Sequence, residues 1–147
     1  MEFREATLDQ EDECLRMMED FYKMNGYTYY ETDASRNFEE FIQNENLGKF
    51  WVITQSGKTI GYVILTFGYS FEYGGRDAFV DELYLKAEYR NRGIGTLILE
   101  SIDFYAHKHG VKAIHLEVEQ DNEAGNRLYI KSGFKSNDRA LLSKTVE

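Results

Sequence analysis

Between Tyr89 and Ser101 the sequence reads YRNRGIGTLILES: Arg90 and Arg92, then Gly93 and Gly95, then an apolar helical run. Those residue types at that spacing suit one task. Backbone N–H groups at a helix start have no intrahelical partner, and the helix dipole adds positive partial charge there. Glycines let a diphosphate approach the main chain without meeting a Cβ, and neighbouring guanidinium groups add charge and donors. The stretch therefore reads as a pyrophosphate seat. Two commoner phosphate motifs are excluded. A Walker loop requires G-x-x-x-x-G-K-[ST]; Gly57-Lys58-Thr59 comes nearest, but Val52 stands where its first glycine is needed. A dinucleotide fingerprint requires a third glycine at the position held by Ile98.

Periodicity and punctuation give the elements that must position this loop. MEFREA alternates as a first strand with Phe3 inward. Leu15, Met18, Phe21 and Tyr22 recur at helical spacing between Leu8 and about Met24, with Thr7 or Asp9 as caps and Asn25-Gly26 as the stop. YTYYETDASRN reads as irregular, and Phe38, Phe41 and Ile42 mark a short helix behind a Ser35 cap. KFWVITQ, TIGYVILTFGY and AFVDELYL are three strands with short connections, hence an antiparallel meander, with Ser56-Gly57 as its first tight turn. Thr96 to His107 is a helix bearing Leu97, Ile98, Ile102 and Tyr105 on one stripe, and Gly110 ends it. AIHLEVE is the next strand, Asn122 to Ser132 a short helix, and FKSND with ALLSKTV a closing antiparallel pair.

The order is β-α-α-β-β-β-α-β-α-β-β. This is an α/β chain of the α+β type, with a mixed, mostly antiparallel central sheet of about seven strands and helices on both faces. AFVDELYL, the following helix and AIHLEVE form a βαβ unit, so those strands are expected to be parallel neighbours. A single domain spanning residues 1–147 is expected.

No apolar run approaches the roughly 20 residues that cross a bilayer, and the N-terminus has no signal-peptide core. No membrane association is expected. The formal charge of -9 argues against nucleic acid as a partner and could draw in cationic small molecules. A lone cysteine, Cys14, forms no internal disulfide, which agrees with a cytoplasmic location. His107, His109 and His115 are not spaced as metal ligands, so no metal is expected.

DELYLKAEYRNRGIGTLIL followed by LEVEQDNEAGNRLYIKSGF resembles the Gcn5-related N-acetyltransferase (GNAT) superfamily. The first stretch is similar to its acetyl-CoA motif A. The second is similar to motif B, N-x-x-A-x-x-L-Y-x-x-x-G-F, matched by Asn122, Leu128-Tyr129, Gly133 and Phe134, with Ala124-Gly125 in place of the usual alanine. Ala87 stands where a proline is common. The likeness in element order runs from the first strand to about Lys135.

The resemblance implies a GNAT fold and acetyl-CoA as co-substrate. Main-chain amides of Asn91, Arg92, Gly93, Ile94, Gly95 and Thr96 would surround the pyrophosphate, with Arg90 and Arg92 adding charge. Leu83, Tyr84 and Leu85 would pair with the pantetheine arm like an added strand, and an N–H near Leu85 would polarise the thioester carbonyl. The two parallel strands would splay beyond Leu85, and Asn122 would hold the far side of the cofactor. Tyr129 matches the tyrosine that protonates the departing thiolate. Glu82 resembles the carboxylate that takes a proton from the incoming ammonium. Strand alternation puts Asp81 on the opposite face from Glu82, so the two are not expected to share that role; Glu117 and Glu119 are rival bases on the neighbouring strand.

The activity so implied is transfer of an acetyl group to a primary amine by direct attack in a ternary complex. A small cationic acceptor is preferred: a polyamine, diamine or aminoglycoside. The alternatives are acetylation of a peptide N-terminus or lysine, and a non-catalytic acyl-CoA-binding regulatory module, which would need neither Tyr129 nor Glu82. Tyr27, Tyr29 and Tyr30 form either an acceptor wall or loop packing. Glu72, in GYSFEYGG, could meet a cation near the acceptor site. The aromatic content permits a homodimer.

Overall fold

The computed structural model describes Met1–Glu147 as two compact units, residues 1–117 and 118–147. The first unit holds one five-stranded sheet in spatial order β1-β2-β3-β4-β5, formed by β1 (Glu2–Glu5), β2 (Gly48–Gln55), β3 (Lys58–Ser70), β4 (Gly75–Leu85) and β5 (Ala113–His115). β1 to β4 pair antiparallel, and β5 runs parallel to β4. The expected meander and βαβ unit are both present. Ser56 and Gly57, with φ of 51° and 76°, make the left-handed two-residue turn that matches strand twist.

Three helices cover the sheet. α1 (Glu11–Met24) and α2 (Glu31–Ile42) lie on the face that carries Phe50, Val52, Tyr62, Ile64 and Tyr84, where Cys14, Leu15, Met17 and Phe38 are buried with those residues. α3 (Ile94–Lys108) covers the opposite face: its Tyr105 packs edge-on against Trp51 at 4.9 Å and parallel to Phe67 at 6.5 Å between ring centroids. Trp51 is thus a packing residue, as its strand position suggests. No helix is long and apolar enough to cross a membrane.

Several expectations change. The segment read as irregular is helical from Glu31, with Tyr30 at the N-cap rather than Ser35. Glu31 and Asp33 sit in the first turn, where the helix dipole favours acidic groups. α1 is preceded by a short 3-10 turn, Leu8–Gln10, in which the Thr7 N–H donates to Gln10 Oε1 at 3.0 Å.

The sheet has five strands, not seven. Only Ala113–His115 of AIHLEVE is strand, and neither FKSND nor ALLSKTV forms one. Residues 136–147 are exposed throughout, with Leu142 90% accessible and Val146 88%. Their apolar side chains favour a strand, but a strand needs a neighbour to pair its N–H and C=O groups, and here none does so.

The second unit contains α4 (Glu123–Lys131). Asn122 is its N-cap, accepting a hydrogen bond from the Gly125 N–H at 2.9 Å. A Cβ on residue 125 would stand 2.5 Å from Asn122 Nδ2. Gly125, where the resemblance leads one to expect alanine, makes room for this cap.

Gly61 on β3 faces Leu85 across the ladder, and a Cβ there would lie 2.1 Å from the Tyr84 carbonyl oxygen and 3.1 Å from Leu85 Cα. Both obstacles are backbone. Gly61→Ala is expected to cost about 2 kcal/mol, as overpacked cores do, and to lower Tm by roughly 4–8 °C. Thermal unfolding checks this, and an unchanged Tm would show that the two strands part freely.

Candidate active site

The middle of β4 holds an irregularity that strand alternation does not foresee. Val80 pairs with Leu65 and Glu82 with Ile64, so Asp81 is the extra residue of a β-bulge. Without it, Val80 and Glu82 would share a face. With it, Val80 and Leu65 are buried on one face, while Glu82 joins Tyr62, Ile64 and Tyr84 on the other. The bulge also turns Asp81, so both carboxylates line one cavity of about 290 Å³. The expectation that Asp81 and Glu82 face opposite ways is corrected here.

The cavity lies between α1, α2 and the sheet. Its walls are largely aromatic, with Tyr22, Tyr29, Tyr30, Phe38, Phe41 and Phe50, and its acidic groups are Asp33, Asp81 and Glu82. Of the tyrosine cluster, Tyr29 and Tyr30 are wall residues, whereas Tyr27 packs edge-on against Tyr22 at 6.1 Å. No residue between 68 and 75 lines it, so Glu72 is not part of this wall.

Glu82 is only 8% exposed. Each of its oxygens accepts a tyrosine hydroxyl: Tyr62 Oη donates to Oε1 at 2.7 Å and Tyr22 Oη to Oε2 at 3.0 Å. Burial raises the Glu82 pKa above the ordinary carboxylate range and Asp81 adds to the rise, while the two hydroxyl donors oppose it. Burial likewise raises Asp81. Tyr62 and Tyr22 are raised by burial first and then by Glu82, so both remain protonated donors. The rival carboxylates Glu117 and Glu119 are exposed and lie beyond β5, which ends at His115.

The glycine loop begins where β4 ends. Ala87 opens a 3-10 turn, Ala87–Tyr89, a position at which proline is equally at home. Asn91 and Gly93 then take left-handed conformations, with φ of 61° and 78°. A Cβ added to Gly93 would meet nothing within 4 Å, so this glycine is required by its torsion, and the space before it is open. No side chain caps α3, and its first turn has no acidic residue. The N–H groups of Ile94, Gly95 and Thr96 precede the first bond of the helix, Leu97 N–H to Gly93 O at 3.4 Å. An uncapped helix start facing open space fits a diphosphate.

Arg90 and Arg92 are placed differently. Arg90 Nε donates to the Leu85 carbonyl at 2.7 Å, its Nη2 meets Met24 Sδ at 3.1 Å, and its guanidinium lies 5.6 Å from the Tyr84 ring centroid. Arg92 sits 5.8 Å from the Tyr89 ring centroid. Leu83 and Leu85 are half-buried. Tyr84 is buried, and its hydroxyl donates to Asp20 Oδ2. Burial and that carboxylate push its pKa up to about 12.

The β4–β5 ladder ends at the Phe79–His115 pair, so the two strands separate well before Leu85. From Val80 to Leu85, β4 has a ladder partner only in β3. That edge is open to an added strand.

In the second unit, Tyr129 is half-buried on α4, edge-on to Phe134 at 6.0 Å. Burial raises its pKa, which keeps the hydroxyl protonated and able to donate. Asn122 Oδ1 is engaged in the α4 cap. His115 is a packing residue, 3.0 Å from Asp77 Oδ2 and between the rings of Tyr73 and Phe79. No cluster of His, Cys, Asp and Glu could hold a metal.

Sequence reasoning missed Tyr22 and Tyr62 as partners of Glu82. Helical spacing turns Tyr22 inward and strand position buries Tyr62, yet neither signal says what their hydroxyl groups meet 60 and 20 residues away.

The model of the acetyltransferase (GNAT) family matches residues 14–134. An uncharacterized N-acetyltransferase of Methanocaldococcus jannaschii is 25% identical over 137 residues, covering 92% of this chain. A thialysine N-epsilon-acetyltransferase of Bos taurus is 33% identical over 70 residues, covering 48% of this chain. The chain spans 61% and 41% of the lengths of those two relatives. Among solved structures, an integron cassette protein from the mobile metagenome of Cole Harbour salt marsh superposes with a TM-score of 0.86 at 28% identity, covering 99% of this chain and 90% of its own.

A raised folded-state pKa for Glu82 has a defined sign in stability. Its contribution is full below the ordinary carboxylate range and is lost as pH rises through the raised folded value. Glu82→Gln, neutral at every pH, is therefore expected to gain Tm on the wild type as pH rises from about 4 toward neutrality. A gain of about 3 °C corresponds to roughly 1 kcal/mol. Calorimetry across pH checks this, and a Tm difference that does not vary with pH would remove Glu82 as the group responsible.

Proposed function

Because this chain belongs to the acetyltransferase (GNAT) family, whose donor is acetyl-CoA, we propose that it moves an acetyl group to the primary amine of a small cationic acceptor. The observation that carries this reading is the 290 Å³ cavity in which Asp33, Asp81 and Glu82 stand among aromatic rings. Carboxylates and ring faces together attract an alkylammonium. A cavity of this size suits a diamine, polyamine or amino-acid side chain better than an extended peptide. The similarity to a thialysine N-epsilon-acetyltransferase supports the same class of acceptor. We take residues 1–147 as one acetyltransferase domain, since the family match runs through both compact units. A reducing cytoplasm, where Cys14 stays a thiol, is the proposed compartment.

Each of this chain's groups has a proposed part. The N–H groups from Asn91 to Thr96 bind the donor's pyrophosphate, with Arg92 adding charge from a side chain and Arg90 bracing the loop through Leu85 and Met24. Leu83, Tyr84 and Leu85 offer main-chain groups to the pantetheine arm along the open β4 edge, and Asn122 borders the donor from α4. Glu82 takes a proton from the acceptor ammonium. The amine nitrogen then bonds to the acetyl carbonyl carbon, the carbon–sulfur bond breaks, the Tyr129 hydroxyl gives a proton to the departing thiolate, and the second proton that the nitrogen sheds on becoming an amide restores Tyr129. Burial serves both groups: it raises Glu82 toward the pH at which a carboxylate is an effective base, and it keeps Tyr129 protonated.

Turnover with acetyl-CoA and a panel of primary amines, read as free thiol, tests the assignment. Small alkyl diamines, polyamines and thialysine are expected to outperform peptides. Release of thiol only with peptides would overturn the small-acceptor reading, and none with any acceptor would overturn transfer itself. Tyr129→Phe is expected to lower kcat about 10²-fold with KM for acetyl-CoA nearly unchanged; an unaltered kcat removes Tyr129 as the acid. Gly93→Val places a β-branched residue at a left-handed φ and is expected to weaken CoA binding about tenfold or more. Calorimetry with CoA decides that point, equal affinity counting against the phosphate seat.

A further inference from the structure

We propose that Tyr22 is the relay through which the acceptor ammonium delivers its proton to Glu82. The inference rests on Glu82 acting as the base. Glu82 has two hydroxyl partners, and they are not equivalent. Tyr62 is fully buried at 0% exposure and is absent from the cavity wall, so its bond to Oε1 anchors the carboxylate from behind. Tyr22, from α1, lines the cavity and donates to Oε2 at 3.0 Å. Tyr22 and Glu82 both line the cavity, so Tyr22, whose hydroxyl is bonded to Oε2, borders the space an acceptor would fill beside the oxygen that would receive the proton.

The step balances. An ammonium N–H donates to a lone pair of Tyr22 Oη as the Tyr22 proton passes to Glu82 Oε2. The acceptor leaves as a neutral amine, Glu82 becomes a neutral acid, and Tyr22 is unchanged. The charged and titratable groups around this path are Asp81 beside Glu82 on β4, Tyr62 from β3, Tyr27, Tyr29 and Tyr30 between α1 and α2, and Asp33 on α2. Asp33 itself pairs with Arg36 at 3.0 Å. The ring of Tyr22 is held edge-on by Phe21, Tyr27 and Tyr29, so Tyr22→Phe removes the hydroxyl and keeps the packing.

Two measurements test the relay. In pH profiles of kcat with acetyl-CoA and the most active amine of the panel, Tyr22→Phe is expected to lower the high-pH plateau at least tenfold, with KM for acetyl-CoA unchanged. Tyr62→Phe is expected to move the acid limb upward and to recover most of the plateau. Carboxyl carbon NMR of the free protein is expected to show Glu82 titrating at higher pH in Tyr22→Phe than in wild type, because a donor to its charged form is gone. A plateau restored to wild type in Tyr22→Phe would overturn the relay, leaving the hydroxyl only as a tuner of Glu82. So would equal plateau losses in the two variants, or an unmoved Glu82 titration. Glu82→Gln separates the levels: full turnover in that variant removes the base and the relay with it, whereas lost turnover beside an unimpaired Tyr22→Phe removes the relay alone.

Discussion

A carboxylate placed inside a protein must be given partners or it stays neutral, and Glu82 is the buried acid around which the first unit is arranged. Its partners come from two elements, α1 and β3, and its position comes from a bulge in a third, β4. Each hydroxyl donor must reach a fixed oxygen, so the packing of α1 on the sheet is constrained to the hydrogen-bond scale rather than to hydrophobic contact alone. The aromatic stack supplies that rigidity. Tyr62 lies 5.3 Å from Phe50 and 5.6 Å from Tyr84, while Phe21 approaches it edge-on. Offset and edge-on rings lock one another more specifically than aliphatic side chains do.

The same strand serves both halves of the proposed reaction. Near its middle, β4 turns Asp81 and Glu82 toward the acceptor cavity. Beyond Phe79 its outer edge has lost β5 and is free to pair with an incoming chain. At its end, the Leu85 carbonyl is held by Arg90, whose guanidinium also meets Met24 at the close of α1. Arg90 therefore ties the donor loop to the helix that carries Tyr22. A displacement of α1 would be felt at Glu82 and at the glycine loop together.

Family membership and acceptor chemistry rest on different features. The helix start with its left-handed Gly93 suits the proposed diphosphate whatever the acceptor. The walls proposed to take a small cation combine Phe50, Asp81 and Glu82 of the sheet with side chains of α1, α2 and the segment between them, where the chain read as irregular. Chemistry that varies from one acceptor to another is well placed on such a connection, because it can change without disturbing the sheet.

Much of this was legible in residue order. Alternation and turn residues located β1 to β4 and the meander, helical stripes located α1 and α3, and the R-x-x-G-x-G spacing located the loop with its left-handed glycine at the start of α3, since all of these are local properties of backbone torsion and periodicity. Other features depend on what the chain meets at a distance. Asp81 and Glu82 share a cavity only because β3 and β4 pair with one residue to spare. That Arg90 reaches the Leu85 carbonyl and Met24 is likewise invisible in the linear order. Tyr22 and Tyr62 become partners of a carboxylate only when α1 and β3 close over it, and ALLSKTV, apolar enough for a strand, is none because no edge pairs with it. Register, long-range hydrogen bonds and strand partnership belong to pairs of segments, and a linear sequence names the segments without joining them.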